Sequence, residues 1–356
     1  MSAAMLGILG YDDHWRNEFA SYAERGFIPA RVVRTDRGFV VAGTDEGFVH
    51  ALLSPELFNR TGTSDELPAT GDWVALRPAT EKSDALVEAV LPRISALRRA
   101  DPGSTPEAQV LAANVDTVFL VHPIESEPNL RRLERELTLV WDSGAVPVIV
   151  LSKADLATDT EETARLVAEI APGTEIHVTS AATGEGFDLL FDYLEGNKTV
   201  AVIGPSGSGK STLINRMLGE ERQATREVRL RDGKGRHTTV TRELVPLPDQ
   251  GVLIDTPGLR AVALWAADGG LDRTFADITA LAEGCRFRDC THTNEPGCAV
   301  LVAAKNGRLD RERLESYLRL RAEQEAAGRE WEARLKEERQ RKRRAATRTK
   351  RRSRKR

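Results

Sequence analysis

The stretch Gly204-Pro205-Ser206-Gly207-Ser208-Gly209-Lys210-Ser211-Thr212 fits the pattern G-x-x-x-x-G-K-[ST]. It lies between an apolar run, Val200-Ala201-Val202-Ile203, and a helical run that starts Ser211-Thr212-Leu213-Ile214. That strand, loop and helix succession marks a phosphate-binding loop rather than an ordinary glycine-rich turn. The glycines let consecutive backbone N–H groups turn toward a polyphosphate, and the helix N-terminus adds its dipole. Lys210 is placed to bridge the β- and γ-phosphates and Ser211 to ligate magnesium.

Upstream of this loop, from about residue 112, continuous apolar strands alternate with amphipathic helices. Residues 115–121 and 146–151 read as buried strands, and residues 129–142 as a helix with Leu133, Leu137 and Val140 on one face. Such alternation predicts a doubly wound parallel sheet, whose ligands bind at the carboxyl ends of the strands. The second strand delivers Ser152-Lys153-Ala154-Asp155, which resembles the [NT]-K-x-D guanine-recognition motif. A carboxylate at position 155 can accept from guanine N1–H and the 2-amino group, which adenine cannot offer. Ser152 stands where the motif usually has Asn; its shorter side chain predicts weaker or lost bonds to the base and the phosphate loop. Thr179 is followed by Ser180-Ala181-Ala182, similar to the companion loop that approaches the guanine carbonyl.

Downstream, the polar segment from Gly219 ends in Gly235-Arg236-His237-Thr238-Thr239, which reads as a switch loop. Thr239, in preference to Thr238, is expected to close on magnesium and the γ-phosphate. A further apolar run, Gly251-Val252-Leu253-Ile254, delivers Asp255-Thr256-Pro257-Gly258. In this Asp-x-x-Gly, Asp255 is expected to hold magnesium through water and the Gly258 N–H to sense the γ-phosphate. Leu259 occupies the position where many GTPases carry a water-orienting Gln, so His237 either positions the water or packs the switch. The guanine motif precedes the phosphate loop, which reverses the usual order. The domain is therefore circularly permuted.

The flanks are of other kinds. Residues 29–99 contain about five short β-rich runs separated by turn residues, the pattern of a small oligonucleotide-binding (OB) barrel. Arg31, Arg34, Arg37, Arg93, Arg98 and Arg99 either form a cationic RNA-facing patch or cover a solvated barrel surface. Residues 1–29 carry Trp15, Phe19 and Tyr22 in a helical context and are expected to pad the barrel. After the sheet, Cys285-x4-Cys290-x-His292-x5-Cys298 offers three sulfurs and an imidazole, a closed tetrahedral shell for one structural zinc ion. Residues 308–340 read as a charged helix with Leu314, Tyr317 and Leu318 on one face.

The formal charge of the 356-residue chain is -3, yet residues 339–356 hold twelve Lys or Arg and no acid. Without those twelve charges the remainder falls to -15, so the tail is a separate polyanion-binding element. No basic leader segment precedes the first apolar residues and no apolar run is long enough to span a bilayer, which predicts a cytoplasmic protein without membrane attachment. The expected fold is multidomain. Residues 1–99 form the N-terminal segment and barrel, 100–275 the permuted α/β P-loop domain, 276–335 the zinc-binding helical module, and 336–356 a disordered basic tail.

The chain resembles the bacterial small-subunit-dependent ribosomal GTPases, the RsgA/YjeQ family. The resemblance rests on the permuted motif order, Gly71-Asp72-Trp73-Val74, Leu91-Pro92-Arg93 and Ala113-Asn114-Val115-Asp116. Gly235-Arg236-His237-Thr238-Thr239, Cys285-Arg286-Phe287-Arg288-Asp289-Cys290-Thr291-His292 and Glu295-Pro296-Gly297-Cys298 complete it. It implies a monomer that binds the small ribosomal subunit and its rRNA, hydrolyses GTP with Mg2+ under stimulation by the subunit, and assists late maturation. The alternative, which Leu259 keeps open, is a GTP-binding RNA-associated module with negligible hydrolysis.

Overall fold

In the computed structural model, which describes residues 5–36, 38–60, 64–81, 83–100, 108–125, 128–219, 242–247, 251–255 and 269–353, the first five strands close on themselves. They are β1 (Ile28–Thr35), β2 (Val40–Thr44), β3 (Gly47–Leu53), β4 (Trp73–Arg77) and β5 (Ala85–Val90), with α3 (Pro55–Arg60) after β3. Their order is β1-β2-β3-β5-β4, β4 pairs back to β1, and only β3 and β5 run parallel. This is the topology of the OB fold. Every second residue points inward, so Ala30 and Val32, Val40 and Ala42, and Val74 and Leu76 fill the interior.

Ahead of the barrel lie α1 (Met5–Ile8) and α2 (Asp13–Ala23), the latter capped by the Asp12 carboxylate, which accepts from the Trp15 N–H. Trp15 and Phe19, four residues apart and so on one helical face, are buried. The Trp15 and Tyr11 rings lie 5.8 and 5.1 Å from that of Trp73, so this segment does cover the barrel.

A two-stranded ribbon, β6 (Ala96–Ala100) and β7 (Ala108–Ala113), leads to a six-stranded sheet. Its strands are β8 (Thr117–Pro123), β9 (Val146–Ser152), β10 (Glu175–Val178), β11 (Thr199–Ile203), β12 (Glu243–Leu247) and β13 (Gly251–Asp255), in the order β10-β9-β8-β11-β13-β12. All neighbours are parallel except β12 with β13. The helices are α4 (Leu130–Ser143), α5 (Thr160–Ile170), α6 (Asp188–Phe191) and α7 (Lys210–Leu218). In α4, Asn129 caps the first turn by accepting from the Arg132 N–H. Leu133, Leu137 and Val140 are buried, each stabilising the fold by about 2 kcal/mol. Leu213, Ile214 and Met217 of α7 join Val121, Val150 and Val202 in the core.

The barrel and the sheet belong to one compact unit, residues 1–263, and a buried arginine joins them. Arg31 of β1 donates to the carbonyls of Leu9 (2.5 Å), Gly71 (3.2 Å) and Asn114 (3.0 Å) and to Thr199 Oγ1 (2.9 Å) at the start of β11. Its guanidinium sits 5.3 Å from the Trp73 ring centre. Burial lowers it to about 10, with Asp116 and Asp72 opposing, so it remains charged at neutral pH. Gly71 has φ +95°, and a Cβ there would lie 2.1 Å from the Ala113 carbonyl oxygen, so only glycine permits this approach. Asp72, fully buried, pairs with Arg93 at 2.7 Å.

Both readings of these arginines, the RNA-facing patch and the solvated barrel surface, are therefore corrected at Arg31 and Arg93, which are spent inside the fold. Arg34 pairs with Asp36 and Arg98 with Asp65, each at 2.9 Å. Arg37 and the side chain of Arg99 lie outside the described residues.

The second unit, residues 264–356, contains the helices Gly270–Thr274, Ala276–Ala282, Ala299–Lys305 and Arg311–Ser353. Arg313 grips both oxygens of Asp277 at 2.7 Å and donates to the Thr274 carbonyl. Among the described residues, Leu314, Tyr317 and Leu320 are the buried apolar residues of the long helix. Leu318, expected on that face, is half-buried. The helical backbone also continues through Ser353, past the end near 340 that the sequence suggests. Residues 341–353 contain Arg, Lys, Ala and Thr with a single Ser, and no Gly or Pro, so nothing local ends the helix.

Arg31→Met should remove about 3 kcal/mol from the urea unfolding free energy, because buried carbonyls lose their donor. Arg34→Met, at a half-exposed pair, should change it by less than about 0.5 kcal/mol.

Candidate nucleotide site and metal cluster

Because β8, β9, β10, β11 and β13 run parallel, their carboxyl ends share one edge of the sheet, and the strand order reverses between β8 and β11. The phosphate loop leaves β11 there. Gly204 has φ +147°, and a Cβ would stand 2.2 Å from the Val121 carbonyl oxygen of the neighbouring strand, so the loop needs glycine to start. Ser208 is fully buried, whereas Ser206, Gly207, Ser211 and Thr212 are exposed, and Pro205, Gly209 and Lys210 are half-buried. Lys210 Nζ donates to the Pro205 carbonyl (2.5 Å) and approaches Ser208 Oγ at 3.5 Å. The ammonium thus already lies over the loop whose N–H groups form the cradle.

The guanine-type motif stands directly beside it. A cleft of about 240 Å³ is lined by Ser152, Lys153 and Asp155 on one side and Gly209, Thr212 and Leu213 on the other, with Ala181 and Ala182 also on its wall. Ser180, fully buried, donates to Asp155 Oδ1 at 2.5 Å and so fixes the carboxylate. The Ala154 N–H donates to the Thr179 carbonyl, tying the two loops by their backbones. Lys153, in the left-handed region at φ 63°, pairs with Glu125 at 2.5 Å.

Ser152 corrects one expectation. Its hydroxyl donates to the Ser208 carbonyl at 2.6 Å and lies 3.2 Å from the His122 carbonyl, so the link to the phosphate loop is kept in spite of the shorter side chain. Arg216, which no motif marks, adds a second link: from α7 it donates to the Ala181 carbonyl at 2.7 Å while lying 5.4 Å from the Phe187 ring centre. Behind β8, burial favours a neutral Glu136, but bonds from His122 (2.6 Å) and Arg132 (2.8 Å) outweigh it and hold the carboxyl below its ordinary value.

Asp255 ends β13, in register with Val202 of β11, so the end of its strand lies beside the strand that leads into the phosphate loop. Ser211 and Asp255 are hard oxygen donors suited to magnesium. His237, Thr238, Thr239, Gly258 and Leu259 lie outside the described residues.

In the second unit, Cys285, Cys290, His292 and Cys298 bring four ligand atoms within 4.8 Å of one another. The pairs Cys285–His292, Cys285–Cys298 and His292–Cys298 are 3.7, 3.9 and 3.4 Å apart. A tetrahedral zinc shell with ordinary bond lengths has edges of about 3.5 to 3.8 Å, so the donor set fits that ion. Cys298 also caps the helix Ala299–Lys305, accepting from the Leu301 N–H. Glu295 accepts from the hydroxyl and N–H of Thr291, which hold its carboxyl down at about 2 and brace the ligand loop.

The model of the RsgA GTPase family matches residues 90–265. The small ribosomal subunit biogenesis GTPase RsgA of Streptomyces coelicolor is 46% identical over 321 residues, which span 89% of this chain and 86% of that protein. The chain belongs to the RsgA GTPase family. Its likeness extends to the small ribosomal subunit biogenesis GTPase RsgA 2 of Lactiplantibacillus plantarum, 44% identical with 86% of each chain covered. The crystal structure of YjeQ from Thermotoga maritima superposes with a TM-score of 0.60 at 27% identity, over 84% of this chain and 98% of that one. YloQ, described as a circularly permuted GTPase, shares the fold with a TM-score of 0.58 at 23% identity, over 84% and 96%. This RsgA-family GTPase is thus a GTP hydrolase. Among its described residues no helix is long and apolar enough to cross a membrane.

Ser180→Ala should weaken GTP and GDP binding alike by about tenfold, the worth of one charge-assisted bond that aligns Asp155. Titration with a fluorescent guanine nucleotide checks this.

Proposed function

We propose that this chain is a cytoplasmic GTPase that binds the small ribosomal subunit through its rRNA, assists late maturation, and leaves when GTP is hydrolysed. The carrying observation is the single cleft in which the 152–155 motif, the 180–182 loop and the phosphate loop meet, at the switch point of a permuted sheet. The names of the relatives supply the ribosomal context.

In this reading Asp155 accepts from guanine N1–H and the 2-amino group, while Lys153 lies along the base. The Ser180-Ala181 loop faces the guanine carbonyl. Gly204, Pro205, Ser206, Gly207, Ser208, Gly209 and Thr212 enclose the phosphates with their backbone, and Lys210 spreads its charge over the β- and γ-phosphates. Ser211, Thr239 and Asp255 would hold magnesium, which when bound neutralises charge on the same phosphate oxygens. Gly258 senses the γ-phosphate and His237 orients the attacking water. With Leu259 beside Gly258, turnover by the free protein is slow, and the subunit must complete the site.

Cys285, Cys290, His292 and Cys298 would hold one zinc ion in a closed shell that leaves no position for substrate, so its part is folding rather than chemistry. The basic C-terminal segment, with twelve Lys or Arg in residues 339–356, suits sequence-independent contact with RNA phosphates.

GTP hydrolysis measured with and without purified small subunits should rise at least tenfold with them. Equal, slow turnover in both would favour the non-hydrolysing RNA-associated module. A strong zinc chelator, or Cys290→Ser, should lower the melting temperature and the helical circular dichroism signal. An unchanged melt would remove the metal from the account.

A further inference from the structure

Position 152 decides which edge of the base the protein reads, an inference that rests on the guanine cleft described above. Ser152 is only 6% exposed and lines that cleft. Its hydroxyl has one proton, and both of its close polar neighbours are carbonyl oxygens, Ser208 at 2.6 Å and His122 at 3.2 Å. That proton is therefore committed away from the base. What remains of the hydroxyl on the cleft side is an acceptor. The five-membered-ring edge of guanine presents N7 and O6, which are acceptors too, so position 152 cannot hydrogen-bond to it. An asparagine there would carry two N–H donors, one for the Ser208 carbonyl and one for N7. The opposite edge of the base is well served. Asp155 is pinned by Ser180 at 2.5 Å and keeps lone pairs for N1–H and the 2-amino group.

We propose that Ser152 leaves N7 unread, so that this GTPase selects its nucleotide by the N1–H and 2-amino edge and accepts guanine nucleotides altered at N7. A site discriminates strongly against an analogue only where a buried group loses its partner, and here no side chain at position 152 has a partner on N7 to lose. Tethering and base reading, which one asparagine amide can combine, are separated in this chain. Ser152 keeps the tether alone.

Competition against a fluorescent guanosine diphosphate tests this with the full chain and three nucleotides: GTP, 7-deazaguanosine triphosphate, in which a C–H replaces N7, and ATP. Wild type should bind 7-deazaguanosine triphosphate within threefold of GTP and bind ATP far more weakly. Ser152→Asn should prefer GTP over the 7-deaza analogue by more than threefold. Wild type that favours GTP over ATP but loses more than threefold on the analogue contradicts the inference while leaving the guanine cleft intact. GTP that fails to outcompete ATP removes both. A folded Ser152→Asn that binds GTP and the analogue equally would show that residue 152 is not the determinant. The wild-type comparison decides the matter alone if that variant does not fold.

Discussion

The nucleotide site depends on a buried hydrogen bond between its base and phosphate sides: the Ser152 hydroxyl on the Ser208 carbonyl, 2.6 Å long and joining residues that are 56 positions apart in sequence. It is buried, so breaking it would leave a carbonyl without a donor in a place water does not reach, a cost of about 1–3 kcal/mol. Arg216 on the Ala181 carbonyl acts in parallel from the far end of α7. Between them the base loops and the phosphate loop become one rigid pocket wall. A permuted chain needs such ties, because the loops that enclose its nucleotide are delivered by strands in an unusual succession and only the parallel sheet brings their ends to one edge.

A second constraint lies at the opposite end of β11. Arg31 ties the barrel to Thr199, and Thr199 begins the strand that ends at the phosphate loop. The Thr199 N–H also donates to the Asp116 carboxylate at 2.8 Å, and Asn114 donates to the Gly71 carbonyl, so the joint is saturated with buried polar contacts. Such a network fixes the barrel on the sheet, because sliding would strand charged and polar groups together.

Much of this was legible in the chain before any coordinates. Short β-rich runs between turn residues announced the barrel strands, continuous apolar runs announced the parallel sheet, and glycine with Lys210 and Ser211 marked the phosphate loop. The gathering of Cys285, Cys290, His292 and Cys298 followed from spacing alone. What escaped was side-chain partnership over long sequence distances. Arg31 and Arg93 looked like surface cations because a charge count cannot show that carbonyls or Asp72 wait in the interior. Arg216 belongs to no motif, and Ser152 looked like a loss because its acceptor lies on another loop. Of the residues that carried the family resemblance, Gly71 and Asn114 turn out to sit in the joint between barrel and sheet, while Asp72 and Arg93 pair with each other on the barrel side.

The central claim is that one guanosine triphosphate lies in the cleft with its N1–H and 2-amino edge on the carboxylate of residue 155. An amide at that position offers an N–H where the carboxylate offered an acceptor, matching a 2-carbonyl instead of a 2-amino group. The most direct measurement is therefore the relative affinity of Asp155→Asn for xanthosine and guanosine triphosphates. The account requires the preference to invert toward xanthosine triphosphate by at least tenfold, and undiminished GTP binding by the variant would contradict it.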